Sequence, residues 1–323
     1  MKELSKGMKR LLAVLMGGAI LFNSFSLTVP VDAAGKNTPV IVGGPELAVI
    51  INGKKVKFDG GDPAMENGRV QVPLRGVGEE LGAKVGYKGK TVSYTKGNKT
   101  ISLTLGSSIA SVDGKKVTMD TKAKAVKGRT YVPLRFVSEN LGEKVSWDKA
   151  GQWVWIGEKN IPSTDDEQFK MKKLSDFSKY FKQSQALLKN ISDEPYEGIK
   201  IFNTSQLPIQ MADNFIIYDM YLVKLNGEDY IAVRSNENGS PIYHMVANNN
   251  VKYRRDGLNS GTKHGDGTIT NYYPVLSTGD KFVNGVYMDN VDWKKYDLQT
   301  ADYIAFRSVY PKNYIVAFTN PFK

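Results

Sequence analysis

The chain has 323 residues, 44 Lys+Arg against 33 Asp+Glu for a formal net charge of +11, two histidines and no cysteine. Its length fits two domains of ordinary size, and 41% hydrophobic with 24% charged residues is a globular composition, which excludes a membrane bundle, a disordered chain and a fibre. The absence of cysteine excludes disulfides, thiolate zinc sites, iron–sulfur clusters and a cysteine nucleophile, and two histidines cannot supply three imidazole ligands.

In chain order, Lys2, Lys6, Lys9 and Arg10 come first. They precede the apolar stretch Leu11 to Phe22, and Val31-Asp-Ala33 fits a small-residue cleavage pattern. This order predicts a secretory signal peptide over residues 1–33, cut after Ala33. The apolar run is shorter than the ~20 residues a bilayer span needs, and no later run reaches that length. No transmembrane segment is therefore expected after cleavage. No L-P-x-T-G sorting motif occurs, so covalent attachment to a wall is not indicated. An exported chain without cysteine suits a Gram-positive bacterium, and the expected location is secreted, extracellular and cell-wall associated.

Residues 34–46 read as a linker, and residues 47–158 as a duplicated unit with repeats at about 47–106 and 107–158. Asn52-Gly-Lys-Lys-Val56 recurs as Asp113-Gly-Lys-Lys-Val117, Gly68-Arg-Val-Gln-Val-Pro-Leu-Arg75 as Gly128-Arg-Thr-Tyr-Val-Pro-Leu-Arg135, and Leu81-Gly-Ala-Lys-Val85 as Leu141-Gly-Glu-Lys-Val145. The Asn-Gly and Asp-Gly pairs predict tight hairpin turns. Pro73 and Pro133 sit where a helix begins, and Leu74, Val77 and Leu81, repeated as Leu134, Val137 and Leu141, form a helical stripe. Gly82 and Gly142 end each helix. Strands follow at Thr91 to Tyr94, Thr100 to Leu105 and Gln152 to Ile156, so each repeat is strand, short helix, strand. Arg75 with Glu79 and Arg135 with Glu139 have i, i+4 spacing, expected as structural ion pairs rather than a ligand clamp.

The pattern V-P-L-R-x-V-x-E-x-L-G-x-x-V-x-W is met throughout by Val132 to Trp147, and in the first repeat departs only at Tyr87. It resembles the N-terminal stalk domain of copper amine oxidases, a domain also found in exported proteins of spore-forming Gram-positive bacteria. The resemblance covers about residues 47–158 and implies an antiparallel sheet on short helices, with a spacer or attachment role and no catalysis. Amine oxidase activity is not expected for the chain. The oxidase copper needs three imidazoles, and only His244 and His264 exist. The oxidase quinone is made from the tyrosine of T-x-x-N-Y-[DE], and Thr268-Ile-Thr-Asn-Tyr272 is followed here by Tyr273 instead of an acid.

Residues 159–168 read as a second linker, and residues 169–323 as an α+β domain of no recognised family. Thr164-Asp-Asp-Glu167 fits a capping box. Phe169, Leu174, Phe177, Phe181, Leu188 and Ile191 then predict one amphipathic helix ending near Ser192, with Lys170, Lys172, Lys173, Lys179 and Lys182 mostly off its apolar face. Beyond it a mainly antiparallel sheet is expected, with hairpins around Asn226-Gly227 and around residues 311–313. Asp229 to Ser235 and Asp302 to Ser308 agree at six of seven positions, either as a decayed duplication or as two strands with similar tasks, with Arg234 and Arg307 at matching places. The long glycine-rich stretch 248–267 offers Arg254, Arg255, Lys263, His264 and Asp266 as a candidate ligand loop. No G-x-S-x-G or H-E-x-x-H motif occurs, so no catalytic set is assigned, and no metal or cofactor is expected.

Charge divides the halves. Residues 34–158 hold 20 Lys+Arg and 12 Asp+Glu, and residues 159–323 hold 20 and 19. Lys54, Lys55, Lys115, Lys116, Lys122, Lys124 and Lys127 are therefore candidate contacts to a polyanion. The expected protein is secreted, envelope-associated and non-enzymatic. Its stalk-like half serves as spacer or wall attachment, with an anionic wall polymer or envelope protein as partner, and its second half binds a ligand. No nucleic-acid partner is expected. The alternative is a secreted hydrolase of wall or extracellular polymer, catalytic in its second half.

Overall fold

A computed structural model of the protein describes residues 40–58, 61–247, 251–255, 257, 261–283, 286–307 and 312–323. The expected signal peptide, linker residues 34–39, parts of the glycine-rich stretch (248–250, 256 and 258–260) and residues 308–311 of the expected hairpin lie outside the described residues. The described chain is mostly sheet with few helices, compatible with an α+β or a mainly β class.

In the first half, Asn52 and Gly53 turn with φ of 48° and 83°, and Asp113 and Gly114 with 48° and 81°, the left-handed pair a two-residue hairpin requires. Strands Arg69–Pro73 and Arg129–Pro133 run straight into seven-residue helices Leu74–Glu80 and Leu134–Asn140. Each proline thus ends a strand and caps a helix, one residue earlier than expected. Its missing N–H is tolerated in both roles. Val77, Leu81, Leu134, Val137 and Leu141 turn inward and are at most 5% exposed.

Three sheets enclose these helices. The first is five antiparallel strands, from Lys115–Thr118 at one edge to Lys84–Lys88 at the other. The second joins Arg69–Pro73 to Arg129–Pro133 in antiparallel register, with Val72 opposite Val132 and both fully buried. The third departs from the all-antiparallel expectation. Trp153–Ile156 runs parallel to Ala48–Ile51, so the ends of this half close on each other. Val49, Ile101, Leu103 and Val154 complete the common core.

The second half is built on two six-stranded sheets packed face to face, one of which takes its edge strand Ile41–Val42 from the start of the described chain. One is built around Phe215–Leu225, Glu228–Ser235 and Ile269–Pro274, the other around Tyr314–Thr319, Ala301–Phe306 and Ile242–Val246. Ile217, Ile231 and Val233 from the first meet Ile242, Ile304 and Phe318 from the second. Pairing is antiparallel except between Gly198–Phe202 and Tyr314–Thr319. The two similar segments lie one in each sheet, and their arginines part company: Arg234 is 1% exposed, whereas Arg307 is half-buried and donates to the Ala186 carbonyl at 3.2 Å.

Two expectations are corrected here. The single helix to Ser192 is replaced by strand Lys172–Lys173, 3-10 turn Leu174–Phe177, helical turn Ser178–Phe181 and 3-10 turn Gln185–Leu188. Phe177 packs on Tyr303 at 5.8 Å and Phe181 on Tyr243 at 6.3 Å, ring to ring on the outer face of the second sheet. Contact with that sheet overrides the helical period. Thr164 caps no helix either. It is fully buried, donates to the Met211 carbonyl at 3.4 Å and accepts from the Tyr314 hydroxyl at 2.9 Å. The two expected linkers are also engaged: Ile41–Val42 adds a short strand to the edge of Phe215–Leu225, and Ser163 bridges to Gln210.

Candidate functional site

Strand Phe215–Leu225 carries Tyr218 and Asp219, and Glu228–Ser235 carries Arg234. These meet Ala48, Ile50, Trp153 and Trp155 of the first half, which with Ile161 and Tyr218 form an apolar joint. Arg234 crosses the joint. Its two terminal nitrogens donate to Asp148 at 2.8 and 3.1 Å, one of them also to Asp266 at 2.6 Å, and its Nε to Thr268 at 2.9 Å. Its guanidinium lies 5.1 Å from the Tyr218 ring centroid and 5.9 Å from that of Trp153. Lys55 reaches the opposite way, 3.4 Å from Asp219 and 5.0 Å from the Trp153 centroid.

The charges of the joint are tuned by their neighbours. Burial pushes the Asp219 carboxyl up, against the pull of Lys55. Burial also presses on Asp266, but hydrogen bonds from Thr268 and the Arg234 charge outweigh it and hold that carboxyl below its usual range. His264 is lowered by burial and then by Arg234, and its Nε2 stands 2.8 Å from the Thr270 hydroxyl. Four of the five N–H groups of Arg234 are used inside the protein, so this cluster works as a clamp between halves.

A cleft of about 870 Å³ opens elsewhere on the second half. Tyr230, Trp293, Tyr296 and Phe322 give it aromatic walls, with Glu228 and Asp297 among its polar residues. Behind Tyr296 lies a buried network, in which His244 Nε2 has no hydrogen-bond partner among the described residues. The Tyr296 hydroxyl is 3.0 Å from His244 Nδ1, and the rings stack at 5.7 Å. Burial, then Arg254 and Lys252, hold the His244 imidazole well below its ordinary pKa, and burial raises that of Tyr296. Arg254 grips Asp280 at 2.8 and 2.9 Å with both side chains at most 3% exposed.

The expected ligand loop does not converge. Arg254 is spent on Asp280 in the second sheet, whereas Lys263, His264 and Asp266 belong to the hairpin beside Arg234 in the first. Arg255 and Lys263 are exposed. Of the seven lysines, Lys54, Lys115, Lys116, Lys122 and Lys127 are exposed, Lys55 is tied to Asp219, and Lys124 to Glu66. They lie along edges of three sheets rather than in one patch. Arg135 and Glu139 approach to 3.9 Å with both side chains more than half exposed, a weak pair, and Arg75 and Glu79 form no ion pair. Tyr272, the oxidase-motif tyrosine, is 4% exposed and hydrogen-bonds Thr262 at 3.1 Å. Among the described residues no three His, Asp or Glu side chains gather as metal ligands.

Sequence reasoning missed Trp293 and Tyr296. The available signal was the segment Val291-Asp-Trp-Lys-Lys-Tyr-Asp297, aromatic and doubly flanked by acids. The clamp had no sequence signal.

Residues 50–156 match the family described as the copper amine oxidase N-terminal domain. Nothing is recognised in the second half, and no curated protein matches the chain.

Proposed function

We propose that this is a secreted, non-enzymatic envelope protein of a Gram-positive bacterium. Residues 47–158 act as a stalk that attaches to or spaces from an anionic wall, and residues 169–323 present the aromatic cleft to a ligand. The observation that carries this reading is the division of labour: the matched domain holds the excess positive charge, and the unmatched half holds the cleft of about 870 Å³. We take the stalk as an internal duplication, because strand, helix and strand recur in one order and Val72 meets its counterpart Val132.

Aromatic walls favour a ligand with apolar faces and polar edges, such as a glycan. Three of the charged or titratable groups near the cleft are engaged with neighbours: His244 through Nδ1 with Tyr296, Arg254 with Asp280, and Asp229 with Lys224 at 2.6 Å. That supports binding over catalysis. The hydrolase reading keeps one observation in its favour, since Glu228 and Asp297 line the same cleft.

The test is tryptophan fluorescence of residues 34–323 titrated with soluble wall fragments, for the parent and for Trp293→Ala and Glu228→Gln. Saturable binding lost in Trp293→Ala, with fragments recovered uncleaved, supports the proposal. Cleavage that stops in Glu228→Gln replaces it with the hydrolase.

A further inference from the structure

The two antiparallel strands that place Val72 opposite Val132 have a second consequence. The Gly-Arg that begins each strand lies beside the Leu-Arg that begins the other repeat's helix. Two grooves result, one of about 470 Å³ and one of about 280 Å³. All nine residues lining the larger groove have counterparts sixty positions away lining the smaller. The larger has Arg75, Arg129 and the exposed ring of Tyr87 over a floor of Pro73, Leu74 and Val85. The smaller has Arg135, Arg69 and the exposed ring of Trp147 over Pro133, Leu134 and Val145.

Duplication of the fold accounts for the floors, which are continuous with the core. It does not call for two arginines and a half-exposed aromatic ring at each rim. Tyr87 is 56% and Trp147 38% exposed, so neither ring is needed as core. Two lining positions without charge or ring vary, Gly86 against Ser146 and Thr130 against Val70, whereas both arginines are kept and the rim ring stays aromatic as Tyr87 against Trp147.

We propose that these are paired binding sites for an acidic glycan, a sugar unit carrying a carboxylate or phosphate. The ring offers a face for the sugar, and the guanidinium fork matches either acid in bidentate geometry. The grooves differ in strength. Arg69 pairs with Asp120 and Arg135 lies 3.9 Å from Glu139, whereas Arg75 and Arg129 have no carboxylate partner among the described residues. The Tyr87 groove is therefore the tighter one. This inference rests on the wall-attachment reading and replaces its diffuse lysines with defined sites.

The test is calorimetric titration of residues 34–323 with polygalacturonate, with poly(glycerol phosphate) and with neutral dextran. The variants are Arg75→Ala/Arg129→Ala, Tyr87→Ala and Lys54→Ala/Lys115→Ala/Lys116→Ala, each checked for an unchanged circular dichroism spectrum. Expected are binding of at least one anionic polymer and not of dextran, a loss of about tenfold or more in the arginine and tyrosine variants, and little change in the lysine variant. Which polymer binds identifies the acid. Dextran binding as tight as the anionic polymers, or arginine variants that bind like the parent, overturns the inference. If in the latter case the lysine variant loses binding, attachment survives and only the grooves fail.

Discussion

Arg234 of the second half and Asp148 of the first form a two-point ion pair at 2.8 and 3.1 Å across 86 residues of sequence, with the arginine 1% exposed. A buried pair is costly to break because the surviving charge has nowhere to go. Asp148→Ala is expected to cost about 3 kcal/mol in urea unfolding, with Asp266 retaining part of the hold on Arg234. Because the pair joins the halves, the variant is also expected to split one transition into two. A single transition at the parent midpoint contradicts the clamp.

Asp219 gives the joint a pH dependence of known sign. Its carboxyl is raised by burial, so between its unfolded and folded values the native state holds the proton more tightly and stability falls as pH rises. Asp219→Asn removes that slope and still accepts from the Met220 N–H. Its stability relative to the parent is expected to improve from acid toward neutral pH, read by thermal melts across that range. A difference that moves the other way would show that the Lys55 pairing dominates.

His244 acts in the opposite sense. Its folded value is depressed below the ordinary 6.5 by burial, so the unfolded chain binds the proton first and stability drops as pH falls below about 6.5. The slope approaches about 1.4 kcal/mol per pH unit for one such group. His264, also lowered, adds to it. Denaturant titrations at successive pH values are expected to show a shallower slope in His244→Gln than in the parent.

Gly53 and Gly114 are equivalent turn residues with unequal surroundings. Both have positive φ, 83° and 81°, but a Cβ on Gly53 would collide with the Asn160 backbone carbonyl while Gly114 faces open space. Gly114→Ala is expected to cost about 1 kcal/mol from backbone strain alone. Gly53→Ala is expected to cost several times more, because it also pushes the segment after the first half off its seat. Equal midpoint shifts would contradict that contact.

Local chemistry was legible in the sequence, and distant pairing was not. Asn52-Gly53 and Asp113-Gly114 announced their hairpins, and Val77, Leu81, Val137 and Leu141 announced the buried helix faces. The run Gln152 to Ile156 announced a strand, though its parallel partner Ala48–Ile51 came from the far end of the same half. The aromatic stripe from Phe169 misled because rings that meet a sheet can be delivered by successive short turns as well as by one helix. At the sites, residue type was readable but destination was not. Arg254 met Asp280 instead of a ligand, and Lys55 met Asp219 across 164 residues.

The most direct measurement is co-sedimentation of residues 34–323 with purified Gram-positive walls across a salt series. The account predicts that the protein pellets at low ionic strength and is released as salt rises, because the attraction is electrostatic. Failure to pellet at any salt, or pelleting that high salt leaves unchanged, contradicts it.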